Sequence, residues 1–165
     1  MLVAVDVDYR ATEVVTACVG FRTWLDPAPA IELVTRTTGA VAAYQPGYFF
    51  QRELPPLLAA LGRLTVPPAI IVIDGYVWLG PDVPGLGARL HDALARRVAV
   101  VGVAKRPYTG AADARLILRG TSLEPLYVSA VGTDVDAAAT GVRAMHGPHR
   151  HPTLLKRADR LARDS

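Results

Sequence analysis

Four residues of this chain stand where a polar side chain is costly and where chemistry is often kept. Asp6 interrupts the run "MLVAVDVDYR", Asp74 ends "AIIVID", Lys105 ends "VAVVGVAK", and Glu53 lies in "QRELPPLLAALGRL". An ionised carboxylate among apolar residues is unfavourable unless it is paired or binds a cation. No cation adjoins Asp74 in the sequence, where Gly75, Tyr76 and Val77 follow. The carboxyl end of a buried strand is also where open α/β sheets hold their ligands. If the strands of Asp6 and Asp74 are neighbours, the two acids meet at one edge of the sheet and Glu53 reaches in from its helix. Three carboxylates converging on one point repel each other and raise their pKa values. A divalent cation resolves this, and all-oxygen ligation selects Mg²⁺ or Mn²⁺. Two such ions can clamp the attacking and leaving oxygens of a phosphodiester, with Lys105 as a cation for the phosphate. Acidic residues at strand ends are common, so the pattern alone leaves exposed carboxylates and a solvated helix Glu as the alternative.

The elements that must position these residues are readable in outline. "MLVAVDVDYR" alternates hydrophobic and acidic residues as a strand does, and "EVVTACVGF" and "AIELVTRTT" are β-branched runs separated by the turn signal "DPAP". Three consecutive strands joined by turns predict an antiparallel meander. "QPGYFF" reads as a loop, and a helix follows with its periodicity set after Pro55 and Pro56 and Gly62 near its end. "PPAIIVID" and "VAVVGVAK" are continuously apolar, hence central strands, with the helix "GLGARLHDALARR" between them. "ARLILRG" and "PLYVSAVG" are further strands, "DVDAAATGVRAM" is a helix with Asp134 or Asp136 near its start, and "HPTLLKRADRLARD" is a basic amphipathic last helix. The expectation is an α/β fold with one central mixed sheet, forming a single domain over 1–165.

Composition narrows the class. The 165 residues are 51% apolar, which supports a globular core. No uncharged run reaches the roughly 18 apolar residues that span a membrane, and the N-terminus reads as a strand rather than a signal peptide. One cysteine, Cys18, excludes an intramolecular disulfide and points to a reducing compartment, so a cytoplasmic location is expected. The net charge of +3 permits a nucleic-acid partner without arguing for one.

The ordered segments resemble the endonuclease V family, deoxyinosine-directed nucleases with a ribonuclease H-like fold. "AVDVDYR" is similar to the family's first strand, "AAYQPGYFFQRELPPLLAAL" to its Tyr-x-Pro-Gly wedge and following helix, and "IIVIDGYVWLGP" to its Asp-Gly strand. "VGVAKRPYTG" resembles its Gly-Val-Ala-Lys loop, and "EPLYVSAVG" and "HPTLLKRADRLARD" its late strand and final helix. The resemblance implies a ribonuclease H-like sheet with three antiparallel N-terminal strands and helices on both faces. It implies Asp6, Glu53 and Asp74 as ligands of Mg²⁺, with Mn²⁺ able to substitute, and Lys105 as a phosphate contact. Tyr44 and Pro46 become the wedge that enters the gap left by an extruded base. Gly47, Phe49, Gly75 and Tyr108 become the base pocket. The implied reaction is hydrolysis of the second phosphodiester 3′ to a deaminated base in DNA or RNA, leaving 3′-hydroxyl and 5′-phosphate ends. A monomer without membrane attachment is expected.

The chain also departs from the family. The family carries a further segment ahead of its first strand. It has a histidine before the proline that follows Asp-Gly, where this chain has Gly80, and another after the late strand, where this chain has Thr133. A weakened, nucleic-acid-binding homologue and a metal-dependent phosphoryl-transfer enzyme on another substrate therefore stand as alternatives. Bland readings serve the other polar residues. Core packing is an alternative for Tyr44, Phe49 and Phe50. His146, His149 and His151 read as a basic loop before the last helix, with transition-metal binding as the alternative, and Lys156, Arg157, Arg160 and Arg163 as a solvated face or a phosphate track. Asp8 shares the strand face of Asp6 and reads as a surface carboxylate, with a part in the metal site as the alternative; Cys18 belongs to the core, and Asp82 shapes a turn.

Overall fold

The computed structural model describes residues 1–38, 49–111 and 113–165, and places the backbone but not the side chain of Phe49. The expected wedge residues Tyr44 and Pro46, and Gly47 of the expected base pocket, lie outside the described residues.

The strands are β1 (Leu2–Tyr9), β2 (Glu13–Phe21), β3 (Ile31–Thr38), β4 (Ile70–Asp74), β5 (Trp78–Gly80), β6 (Val83–Pro84), β7 (Ala99–Ala104), β8 (Arg115–Ile117) and β9 (Leu126–Val131). The helices are α1 (Phe49–Leu61), α2 (Leu86–Ala93), α3 (Val135–Ala144) and α4 (Thr153–Asp164). Seven strands make one sheet in the order β3-β2-β1-β4-β7-β9-β8. The meander β1-β2-β3 is antiparallel, β1, β4 and β7 run parallel, and β9 returns antiparallel to β7. This is the mixed sheet that the sequence predicts.

Alternation along the strands decides which side chains meet which helices. Leu2, Ala4, Val72, Val101 and Val103 join Val142, Leu154, Leu155 and Ala158 in one core beneath α3 and α4. Val3, Val5, Ile71, Ile73 and Val100 join Leu57, Ala60, Ala88 and Leu90 in a second core beneath α1 and α2. Cys18 lies in this second core, fully buried, as expected. The parallel pairing runs from Leu2↔Ile70 to Val5↔Ile73, so the next step in register sets Asp6 beside Asp74. Asp6 and Asp74 have the parity of Ala4 and Val72, and Lys105 that of Val103. All three therefore belong to the face that α4 covers.

Two local features differ from the sequence reading. The helix α1 begins at Phe49, inside "QPGYFF", and carries Pro55 and Pro56 within it. Those prolines remove the N–H groups that would bond the carbonyls of Gln51 and Arg52. Side-chain contacts secure this part of the helix: the Arg52 guanidinium sits 4.4 Å from the Tyr9 ring centroid and that of Arg89 3.6 Å from the Phe50 ring. The segment after Asp74 is a small hairpin, β5 with β6, turning at Pro81 and Asp82. Asp82 has φ 58°, so a proline followed by a left-handed residue makes this turn. Among the described residues no helix is long and apolar enough to cross a membrane.

Candidate active site

A cavity of about 270 Å³ opens at the carboxyl-terminal ends of β1 and β4. Asp6 from β1, Asp74 from β4 and Glu53 from α1 all line it. Each arrives for a different reason. Asp6 lies in β1 just past its last pair with β4, and Asp74 ends β4, on one face of these adjacent parallel strands. Glu53 comes over the sheet end from the other face, because Leu57 one turn later is anchored in the core below. Lys105 extends from the end of β7, two residues beyond the Asp74↔Val103 pair, and its Nζ donates to Asp74 Oδ2 at 2.6 Å.

The structure adds a fourth carboxylate that the sequence reading missed. Asp159 lines the same cavity from α4 and pairs with Arg163 one turn on, Arg163 Nη2 to Asp159 Oδ1 at 2.7 Å. Its neighbours Leu155 and Ala158 are buried against the sheet, which leaves Asp159 on the edge of the buried stripe facing the strand ends. The signal was present as an acidic residue beside the apolar stripe of the last helix. Asp8 also lines the cavity, yet its carboxylate is bound by Arg10 Nε at 3.0 Å.

The electrostatics are those of acids gathered without enough cations. Burial pushes the Asp6 carboxyl up to about 7, with Asp159 and Asp74 adding repulsion and Lys105 and Arg163 easing it. Burial likewise raises Glu53 to about 8, with further repulsion from Asp6 and Asp74. The donors are all oxygen, which suits a hard divalent cation. Among the described residues, no three acids, histidines or cysteines are gathered so as to hold an ion as they stand. The reason is visible in the partners: Asp74 is turned to Lys105 and Asp159 to Arg163. The donor set fits a divalent cation in its chemistry, and a cation would have to win Asp74 from Lys105.

The expected pocket residues are only partly brought together. Gly75 has φ 125° and open space where a side chain would point, a conformation that favours glycine. Its N–H donates to Val103 O at 3.3 Å. Tyr108 is half exposed, and its ring packs against Tyr76 at 6.0 Å between centroids. Tyr76 Oη donates to Arg106 O at 2.7 Å, so the two rings flank the loop that follows Lys105.

The histidine-rich loop divides. His146 Nδ1 lies 3.1 Å from Thr153 Oγ1 and serves the start of α4. His149 is exposed. His151 is half-buried, and burial, then Lys105, depress its pKa to about 4. The loop is held by Arg119, which is 5% exposed. Its guanidinium donates to the carbonyls of Arg143, Met145, Gly147, His149 and Arg150. Of the basic residues on α4, Arg157 forms a bidentate pair with Glu32 of β3.

The arrangement is similar to that of known proteins along the whole sheet. The profile of the endonuclease V family matches residues 1–160. The curated endonuclease V of Streptomyces avermitilis is 34% identical over 160 residues, covering 82% of this chain and 69% of that protein. A crystal structure of endonuclease V from Streptomyces avermitilis superposes with a TM-score of 0.76 at 29% identity, over 99% of this chain and 79% of that one. A Ciona intestinalis endonuclease V, solved with a 24mer DNA containing an inosine followed by a ribo-adenosine, gives 0.79 at 18% identity, over 99% of this chain and 84% of that one, a likeness of fold. The sheet is accordingly the ribonuclease H-like one, and a match that runs from the first strand into the last helix makes this chain a member of the endonuclease V family.

Proposed function

We propose that this chain is a divalent-cation-dependent endonuclease that hydrolyses nucleic acid near a deaminated base, deoxyinosine in DNA or inosine in RNA. The observation that carries the reading is the convergence of Asp6, Glu53 and Asp74 on one cavity, with Lys105 paired to Asp74. Acids pushed as high as Asp6 and Glu53 are poor structural elements, and they make sense as a set that receives a cation. Asp6, Glu53 and Asp74 would hold Mg²⁺, or Mn²⁺ in its place, with Asp159 as a further oxygen donor. The ion supplies positive charge at the scissile phosphate and an activated water.

The chain's own residues do the rest. Lys105, released from Asp74, turns its ammonium to a non-bridging phosphate oxygen. The paired rings of Tyr76 and Tyr108 offer a stacking surface beside it. Tyr44 and Pro46 are the proposed wedge, and Gly47, Phe49, Gly75 and Tyr108 the proposed base pocket. Cleavage at the second phosphodiester 3′ to the base would leave 3′-hydroxyl and 5′-phosphate ends.

The test is cleavage of labelled DNA and RNA oligonucleotides carrying one inosine, with Mg²⁺, Mn²⁺ or EDTA, beside Asp74→Ala. A cut one nucleotide past the inosine that needs the ion and vanishes in the variant supports the reading. Inosine-dependent binding without any cut would instead make the chain a binding homologue.

A further inference from the structure

The geometry points to His151 as the residue that orients the attacking water, an inference that rests on the nuclease reading above. A smaller cavity shares Asp6, Asp74 and Asp159 with the main one and has His151 as its other polar wall, with apolar residues such as Val72 and Val103 completing it. Its volume is about 20 Å³. One water needs roughly 10–15 Å³ counted the same way, and 2–4 polar partners. The compartment therefore has room for a single water among the residues that line it.

Of its four polar walls, three are carboxylates. Those three are the acids that would hold a cation, and the imidazole is the one polar wall outside that set, free to accept from a water. An acceptor on one side of a water fixes the direction of its O–H bond and so turns an oxygen lone pair the other way. A neutral imidazole has one ring nitrogen free to accept.

The backbone around His151 is fixed at both ends. Arg119 ties the carbonyls of His149 and Arg150, and the Arg150 guanidinium donates to the carbonyls of Lys105 and Pro125 and to Glu124. On the other side, Pro152 is the buried residue that opens α4. The loop that carries His151 is thus bonded to the strand end that carries Lys105. His146 and His149, on the same loop, line neither this compartment nor the main cavity.

The test compares His151→Met with His151→Gln, side chains of similar length of which only the second can accept a hydrogen bond. The readouts are single-turnover cleavage of an inosine oligonucleotide at saturation, oligonucleotide affinity, Mn²⁺ affinity by titration calorimetry, and thermal unfolding. His151→Met is expected to cut about 100-fold slower and His151→Gln to stay within about tenfold of the parent, since positioned proton acceptors contribute roughly 10²–10⁴ in rate. Oligonucleotide and Mn²⁺ affinities should hold within about threefold in both, because neither the ground state nor the ion is touched. His149→Ala should cut like the parent. Equal rates for the two variants, or a His151→Met rate within about threefold of the parent, would overturn the assignment. So would a tenfold or greater loss of Mn²⁺ affinity, about 1.4 kcal/mol, which would make His151 a ligand. A parent protein that binds Mn²⁺ through Asp74 yet cuts nothing would defeat the nuclease reading, and this inference with it. If His151→Met unfolds early, His151→Gln decides alone: a loss beyond about tenfold in a folded protein overturns the role.

Discussion

Lys105 Nζ stands 2.6 Å from Asp74 Oδ2, so the lysine occupies the acid that a cation would need. The two partners are each about two-fifths exposed, which makes the pair exchangeable rather than locked. Lys105→Met is expected to bind Mn²⁺ several-fold more tightly, because a competing positive charge has gone. The same variant should cut an inosine oligonucleotide about 100-fold more slowly, because the phosphate loses its ammonium partner. Calorimetry with Mn²⁺ and single-turnover cleavage measure the two effects, and their opposite signs separate competition from simple damage.

The pH dependence of stability follows from Asp6 and Glu53. Both carboxyls are raised, to about 7 and about 8, so the metal-free fold holds protons that the unfolded chain releases near its ordinary carboxyl range. Stability is then greatest below the unfolded values and is lost as pH rises through the folded ones. Metal-free protein should unfold about 5–10 °C lower at pH 8.5 than at pH 5. Excess Mg²⁺ at the higher pH should recover much of that loss, since an ion that binds only the native acids stabilises by mass action. Thermal melts across pH, with EDTA or Mg²⁺, are the measurement; a melting point that rises over this range in EDTA would contradict the account.

Glu53→Gln makes the companion prediction with two signs. Its neutral amide removes one of the repelling charges and one desolvated carboxylate, so the variant should be more stable than the parent in EDTA at pH 8. It should also lose Mn²⁺ affinity and at least about 100-fold in cleavage. Stability rising while function falls is the mark of a residue kept for its chemistry.

What is legible in the sequence is that Asp6 interrupts, and Asp74 and Lys105 end, apolar runs that read as strands. Because β4 and β7 are apolar on both faces, it is the observed parallel register that puts the three on one face and makes neighbours of the first two. Asp159 is not legible in the same way. Which side of α4 meets the strand ends depends on how Leu154, Leu155 and Ala158 seat against the sheet, a tertiary outcome. His151 is hidden for a related reason: its place depends on Arg119, a distant guanidinium that gathers the loop's carbonyls. The start of α1 departs from expectation because the prolines suggest a helix beginning after them, whereas cation–π contacts from Arg52 and Arg89 support the turn before them.

Arg119 carries the last prediction. Its side chain is nearly inaccessible, and burial lowers its pKa, yet its contacts are backbone carbonyls. Five acceptors from Arg143 to Arg150 converge on the one planar fork. Lysine cannot replace it, because three donors on a compact ammonium cannot span five carbonyls spread along a loop. Arg119→Lys should therefore cost about 2–3 kcal/mol, and Arg119→Met about 3–5 kcal/mol, through carbonyls left without donors. Urea unfolding measures both. Because the loop also sets His151 and Arg150, the folded fraction of Arg119→Lys should cut more slowly than the parent while Mn²⁺ affinity, which depends on the acids of β1, β4 and α1, is kept. A variant with parental cleavage per folded molecule would show that the loop holds its shape without the guanidinium.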